Sequence, residues 1–554
     1  MIRGFLALYG LGYARTLVRI LQDNHYRALP YLNRFWHTQN FADVEFTHNF
    51  ADTEATRMLR LGVSLGILAE YVAGILLIVL WATAHLTAGD LFGLALILLA
   101  PVAWAHVLAV VAGLRSIAGL LSHPKKLGRS IVCRILEHQV RTLLRKNPNL
   151  KIVAVAGSVG KTSTKLAIAK VLESQFKVRY QTGNYNDRVT VPLIFFGRKQ
   201  PNIFNLLAWI KIFVANEHTL RRRYPYEVVV VELGTDGPGF MSEFHYLPVS
   251  LAVVTGITPE HMENFKTLDA VAAEELTVFD YSETVLINGD DVPGKYVAGR
   301  RFKEYSLESV QADYRAEVLK ADLKGQKLHV RFANGRTINI ESSYVGKPGA
   351  RFMLAAAAVA DQLDMEASEI VKAVKKVEPF AGRMQILKGA KDSVLIDDTY
   401  NSSPVAAKSA LDVLCAAKTR QRIAILGSMN ELGDYSPEAH REVGDYCDPK
   451  KLKLVVTVGA DAKKYLASAA KKHGCTVKSF MSPYDAGNYV RKQLKSKAVV
   501  LAKGSQNGVF AEETLKMLLA DSDDVHKLVR QSKYWMSKKA KQFGKPFGFL
   551  PKVS

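Results

Sequence analysis

Residues 152–165 read IVAVAGSVGKTSTK, and this stretch leaves the chain little conformational choice. A β-branched apolar run stops at glycine. A lysine and two hydroxyl residues then open KTSTKLAIAKVLESQF, where Leu166, Ala169, Val171 and Leu172 follow a helical period. Strand, glycine turn and helix in that order predict a parallel α/β sheet. Such a loop turns backbone N–H groups at a helix start toward phosphate, aided by the helix dipole. Lys161 can neutralise phosphate charge, and Thr162 or Ser163 can ligate Mg²⁺. The usual phosphate loop has four residues between its glycines. Here Gly157 and Gly160 stand closer together, and Val155 takes the place of the outer glycine. The competing reading is a helix opened by a plain Gly-Ser turn. Lysine followed by two hydroxyl residues argues against it.

Two more strands accompany the loop. YEVVVVELGTDGPG reads as a buried strand ending in Glu232, and VSLAVVTGITPEHMENF as a strand ending near His261. Carboxylates at strand C-termini of a parallel sheet point into the binding crevice, which makes Glu232 a candidate Mg²⁺ ligand. Residues 305–345 read as a β-rich extension with a hairpin at Asn334–Gly335. RIAILGS (422–428), KLVVTVGA (453–460) and KAVVLAKG (497–504) read as parallel strands of a second, Rossmann-like α/β domain. Lys503 at the end of the last either faces the crevice or is a loop lysine.

The chain has 554 residues, too many for one core, and a formal net charge of +22. That charge favours an anionic partner: nucleotide, nucleic acid or an anionic membrane face. Cys133, Cys415, Cys447 and Cys475 lack C-x-x-C spacing, which argues against a disulfide framework and a zinc site. No Ser-His-Asp set or cysteine nucleophile points to covalent enzyme catalysis.

Ahead of the loop, residues 61–82 are apolar except for Glu70, and residues 91–114 carry no formal charge. Each is long enough to span a bilayer as a helix, and Trp81 lies near one end; a pair of buried core helices is the alternative. Arg57 and Arg60 precede the pair, and Arg115, Lys125, Lys126, Arg129 and Arg134 follow it. Both ends are therefore expected in the cytoplasm, with only about residues 83–90 outside. Pro101 should kink the second span. The first twenty residues, with Arg3, Arg15 and Arg19, predict a helix lying on the cytoplasmic face near anionic lipids, in preference to a signal peptide. For the basic C-terminal tail the alternatives are solvation and docking to that same membrane surface.

These motifs together resemble the Mur ligases, which build the peptide stem of bacterial cell-wall precursors. The resemblance runs from about Lys151 to about Leu519. It is carried by GSVGKTS, TGNYNDRVTVPL, VVELGTDGPG, ITPEHMENFKTLDAVA, INGDD, FAGRMQ, LIDDTYNSSP, ILGSMNELGDYSPEAHREVG and LAKGSQ. The last three are most similar to the branch that adds D-alanyl-D-alanine. The resemblance implies ATP and Mg²⁺ as cofactors. Gly157, Ser158, Gly160, Lys161, Thr162 and Ser163 would form the phosphate site, with Thr162, Glu232 and His261 at the metal. Asn288 would face adenine, Arg383 the phosphates and Asp398 the ribose. Asn184, Asn186, Tyr400, Asn401 and Lys503 would lie near the substrates. The activity implied is ATP-dependent amide formation between a muramyl-peptide carboxylate and D-alanyl-D-alanine or a similar amine, with no nucleic acid involved.

The sequence departs from the family pattern in places. Many Mur ligases carry a carbamylated lysine where Glu275 stands, and Glu275 supplies an anionic O–C–O group on a shorter stem; the plainer reading is an exposed helix acid. Gln506, Ser403 and Thr190 replace residues common in the branch, which leaves the incoming amine open. The usual UDP-sugar-binding domain has no recognisable counterpart, so the acceptor is either UDP-linked or lipid-linked. The expected organisation is a cytoplasmic segment (1–58), a transmembrane hairpin (59–115), a basic linker (116–148), a central ATP-binding domain (149–379), a C-terminal ligase domain (380–525) and a basic tail (526–554). A membrane-tethered NTPase and a polyanion-binding scaffold are the rival readings.

Overall fold

The computed structural model describes residues 9–10, 13–24, 27–38, 41, 44, 54–83, 87–121, 124–506 and 508–544. The segment around Arg3, residues 84–86 of the expected outer loop and the last ten residues of the tail lie outside the described residues. The chain divides into two compact units, Met1–Ile131 and Val132–Ser554.

In the first unit, helices Glu54–Thr83 and Thr87–Leu121 pack side by side. Their segments Thr56–Leu80 and Phe92–Gly113 are long and apolar enough to cross a membrane. Glycines set their approach: a Cβ on Gly74 would stand 2.9 Å from the Gly93 carbonyl oxygen. Glu70 interrupts the apolar run but accepts a hydrogen bond from Trp104 Nε1 at 2.8 Å. Leu65, Leu68, Val72, Ile75, Leu76 and Val79 remain exposed. Helix Tyr13–Asp23 departs from expectation. Its apolar face was assigned to lipid, yet Tyr13, Leu17, Val18, Ile20 and Leu21 pack against Val63, Ile67, Ala105 and Leu108. Tyr13 also donates to the Pro101 carbonyl at 3.1 Å. The protein covers that face.

The second unit opens within helix Pro124–Lys146, which occupies the stretch expected as a linker. Val132, Cys133, Leu136, Val140 and Leu143 are buried there. Two sheets follow. The first holds β1 (Lys151–Ala156), β2 (Val178–Arg179), β3 (Val228–Glu232), β4 (Val249–Val254), β5 (Ser282–Asn288), β6 (Lys303–Ser306), β7 (Tyr314–Asp322), β8 (Gly325–Arg331) and β9 (Thr337–Ser342). Their order is β2-β3-β1-β4-β5-β6-β7-β8-β9, with parallel pairs up to β7 and an antiparallel meander after it. The predicted hairpin at Asn334–Gly335 joins β8 to β9. In β1, Ile152, Ala154 and Ala156 enter one apolar cluster and Val153 and Val155 the other, so both faces of the sheet are covered. The chain leaves β1 for β2 on one side and later returns to its other side as β4. The crevice at the carboxyl end of β1 is therefore the topological switch point.

The second sheet comprises β10 (Gln385–Gly389), β11 (Ser393–Asp398), β12 (Arg422–Gly427), β13 (Leu454–Val458), β14 (Val477–Phe480) and β15 (Val499–Lys503), in the order β10-β11-β15-β12-β13-β14. Only β10 runs antiparallel. The three strands expected from the sequence are β12, β13 and β15.

The tail is not simply solvated over its described part. Helix Lys533–Phe543 carries a fully buried Lys539, whose Nζ lies 2.8 Å from Glu512 and 2.6 Å from Glu513. Arg530 pairs with Glu512 at 2.7 Å. Leaving one partner of such a cluster buried and unpaired costs about 3–5 kcal/mol. Lys539→Ala should therefore lower the unfolding free energy of the full chain by about 3 kcal/mol in a denaturant titration, while the exposed Lys541→Ala changes it by less than about 0.5 kcal/mol. Equal effects would mean that the tail does not depend on this cluster.

Candidate active site

The phosphate loop has a fixed shape because its glycines are obligatory. Gly157 has φ 113°, and a Cβ there would meet Thr255 Oγ1 at 2.6 Å. Gly160, at φ 81°, immediately precedes helix Lys161–Leu172. The loop closes over a cavity of roughly 440 Å³ lined by both α/β domains. Apart from Gly157 and Glu275, every site residue named from the sequence lines it.

Those two residues lie just behind the cavity and bond to each other. Glu275, at the end of helix Leu268–Glu275, is completely buried. Its Oε2 accepts the Gly157 N–H at 2.7 Å, and its Oε1 lies 3.6 Å from Lys161 Nζ. Glu275 is thus no exposed helix acid. It also occupies a loop amide that the sequence assigned to phosphate. Lys161 is encircled by acids, with Glu260 Oε1 at 3.0 Å. Burial alone would lower the Lys161 pKa; the charges of Glu260, Glu275 and Glu232 overcome this and raise it. Burial, reinforced by Glu275, pushes Glu260 up to about 8 despite Lys161.

Glu232 ends β3 inside the cavity. Its Oε1 accepts from Thr162 Oγ1 at 3.1 Å, and its Oε2 lies 2.9 Å from Lys165 Nζ. Burial works to raise its pKa, but Lys165, Lys161 and Arg383 together hold it below the usual carboxylate range. The metal reading fits this donor set. Thr162 and Glu232 offer hard oxygen ligands, with Glu232 Oε2 shared with Lys165, and Glu275 Oε1 is buried beyond hydrogen-bond distance of a donor. Among the described residues no cluster of three or more His, Cys, Asp and Glu side chains forms a ready cage. Mg²⁺ needs none, because it is typically held by one or two carboxylates together with substrate phosphates and water.

Several expectations need correcting. β4 ends at Val254, so His261 is not at a strand end. It sits beyond a turn, in the left-handed region at φ 48°, 3.6 Å from Glu260 and 3.7 Å from Glu431 of the second domain. Asn288 has both amide hydrogens engaged, by the Thr255 carbonyl at 2.9 Å and Asp291 at 2.8 Å, and cannot donate to adenine as it stands. Ser158 directs its hydroxyl to Gly256 O and accepts the Thr258 N–H. Ser163 is buried within its helix. Asp398 and Lys503 are register partners on β11 and β15 and pair at 2.5 Å, so Asp398 is not a free ribose ligand and Lys503 is a cavity residue.

The residues expected near the substrates line the same cavity. Arg383 lies over the Tyr400 ring at 4.0 Å, and its buried Nε has no partner. Asn186 packs against Gly234, where a Cβ would meet its Nδ2 at 2.5 Å. Asn184 and Asn401 line the same wall, as do Thr190, Ser403 and Gln506. Three contributors were missed. Glu260 immediately precedes His261 in TPEH, Lys165 lies one helical turn after Lys161, and Arg351 pairs with Asp290 and Asp291 at the cavity edge. Only Lys165 had a readable signal, its helical spacing.

Known proteins give the same arrangement a family. The Mur ligase middle domain matches residues 155–360, and the Mur ligase glutamate ligase domain matches residues 382–506. The UDP-N-acetylmuramoyl-tripeptide–D-alanyl-D-alanine ligase of Haemophilus influenzae is 25% identical over 394 residues, covering 68% of this chain and 78% of its own. The structure of MurF from Acinetobacter baumannii is similar in fold, with a TM-score of 0.58 and 20% identity over 70% of this chain and 79% of that one. So is that of the MurF ligase from Thermotoga maritima in complex with ADP, with a TM-score of 0.57 and 20% identity over 70% and 83%. Residues before 155 fall outside both domain matches. With middle and C-terminal domains matched in order and meeting at one cavity, the chain belongs to the Mur ligases, ATP-dependent enzymes that form amide bonds.

Proposed function

We propose that this enzyme joins the terminal carboxylate of a muramyl peptide to D-alanyl-D-alanine, at the cytoplasmic face of a membrane in which its N-terminal hairpin is anchored. One observation carries the reading. Lys161, Arg383 and Lys503, each close to acids or an aromatic face, converge from two domains on a single cavity. A carboxylate and an amine do not condense unaided at neutral pH. The acceptor carboxylate must first take the γ-phosphoryl group of the substrate ATP as an acyl phosphate. The amine then attacks, and phosphate leaves from the tetrahedral adduct.

The residues suit that work. Lys161 and Arg383 would offset the charge of two anions brought together. Thr162, Glu232 and His261 would hold Mg²⁺, which supplies charge neutralisation at the phosphates. Glu275 would fix the loop and orient Lys161. Asn184, Asn186, Tyr400 and Asn401 would position acceptor and amine, since alignment of the reacting groups is worth several orders of magnitude in rate. The two apolar helices favour a lipid-linked acceptor, and the family resemblance favours a UDP-linked one.

Phosphate release by the full-length protein, measured with MgATP, each form of muramyl tripeptide and a panel of amines, tests the reading. D-Alanyl-D-alanine should give the highest turnover. ATP hydrolysis indifferent to amine would instead identify a tethered NTPase. Glu275→Gln should cut turnover about 10- to 100-fold, the usual cost of losing a group that orients a site residue, and added bicarbonate should change neither protein. Bicarbonate stimulation of the unsubstituted enzyme would show that a carbamate, and not Glu275, supplies the anion.

A further inference from the structure

The Leu206–Leu220 helix has two apolar faces, and among the described residues only one is covered. Its inner face is fixed to helix Pro124–Lys146. Trp209 is buried with Val132, Cys133 and Leu136. Gln139 donates to the Phe213 carbonyl at 3.0 Å and to Glu217 at 2.9 Å, and accepts from Asn216 at 2.9 Å. A soluble helix would present polar residues on its other side. This one presents Leu206, Leu207, Ile210 and Val214, which are 68%, 73%, 46% and 57% exposed. Positions 206, 210 and 214 form one stripe, and Arg221 continues it beyond the helix end.

The charge around the stripe identifies what covers it. Residues 198–223 contain Arg198, Lys199, Lys211, Arg221, Arg222 and Arg223 against a single acid, Glu217, which is engaged by Gln139. Arg198 is half-buried on Asn216 and the Ala215 carbonyl, and the other five cations are exposed. Apolar residues flanked by exposed cations match the boundary between acyl chains and anionic headgroups. They do not match a neutral protein partner. The chain also supplies proximity. Only residues 122–131 separate the end of the second apolar helix, Leu121, from Val132, the packing partner of Trp209.

We infer that the outer face of the Leu206–Leu220 helix is a membrane-docking surface that inserts Leu206, Leu207, Ile210 and Val214 into an anionic lipid interface. This rests on the anchored reading above and deepens it. A hairpin alone leaves the catalytic unit on a leash, whereas a second lipid contact fixes its orientation.

The test uses full-length protein carrying Leu207→Cys, labelled with a polarity-sensitive fluorophore and reconstituted into vesicles of mixed phosphatidylcholine and phosphatidylglycerol. The unsubstituted chain, labelled in parallel, gives the background from half-buried Cys415. Nitroxide-bearing lipids should quench the label strongly. Adding Ile210→Glu, or omitting phosphatidylglycerol, should weaken that quenching several-fold. A label that stays unquenched in protein resistant to alkaline carbonate extraction overturns the docking and leaves the anchor standing. Shielding that persists in detergent and rises with protein concentration also overturns it, by assigning the face to a second copy. Quenching in protein that carbonate then extracts upholds the docking and removes the anchor.

Discussion

One buried carboxylate holds the site together. Glu275 has no solvent exposure, and its nearest donors are a glycine N–H and a lysine ammonium 118 and 114 positions earlier in the chain. Burying an ionised carboxylate is unfavourable unless donors meet it, so the site is stable only when the end of its helix, the phosphate loop and Lys161 are all in place. The same contact removes Gly157 N–H from the set that can face phosphate. The remaining work falls to Gly160, to the N–H groups opening helix Lys161–Leu172 and to Lys161 itself. The short spacing of the two glycines then follows naturally, because the loop turns around a carboxylate as well as toward a phosphate.

The second domain meets the first through apolar packing of Val345 with Ala410 and Leu411, and through charge at the same cavity. Glu431 approaches His261, and Arg383 lies above Tyr400 near enough to influence Glu232. The loop after β11 is braced from behind. Arg530 donates to the carbonyls of Thr399 and Tyr400 while its guanidinium is held by Glu512. The tail helix, through its buried Lys539 on Glu512, therefore supports the loop that carries the candidate substrate residues.

Much of this was legible in the sequence where the signal was local. The β1 run, the glycine loop and the helix after it form one continuous pattern. Glu232 closes a four-valine strand, and Asn334–Gly335 marks its own hairpin. What was not legible depended on distant partners. Nothing in TPEH fixes the turn that carries His261 past the strand end. Nothing near Ser158 or Asn288 shows that their polar groups are already satisfied by the β4 turn and by Asp291. The tail reads as basic and soluble because its acids, Glu512 and Glu513, stand some twenty residues upstream. The Tyr13–Asp23 helix reads as lipid-facing because an amphipathic pattern does not say what covers its apolar side.

A cavity that activates a carboxylate by phosphorylation must pass one carboxylate oxygen to the phosphate it releases. The most direct measurement follows oxygen from acceptor to phosphate. With the muramyl-peptide carboxylate labelled with oxygen-18, turnover with MgATP and D-alanyl-D-alanine should place one labelled oxygen in the released phosphate for each amide formed, read by mass spectrometry. Phosphate carrying only solvent and ATP oxygen, with amide still produced, would contradict the account.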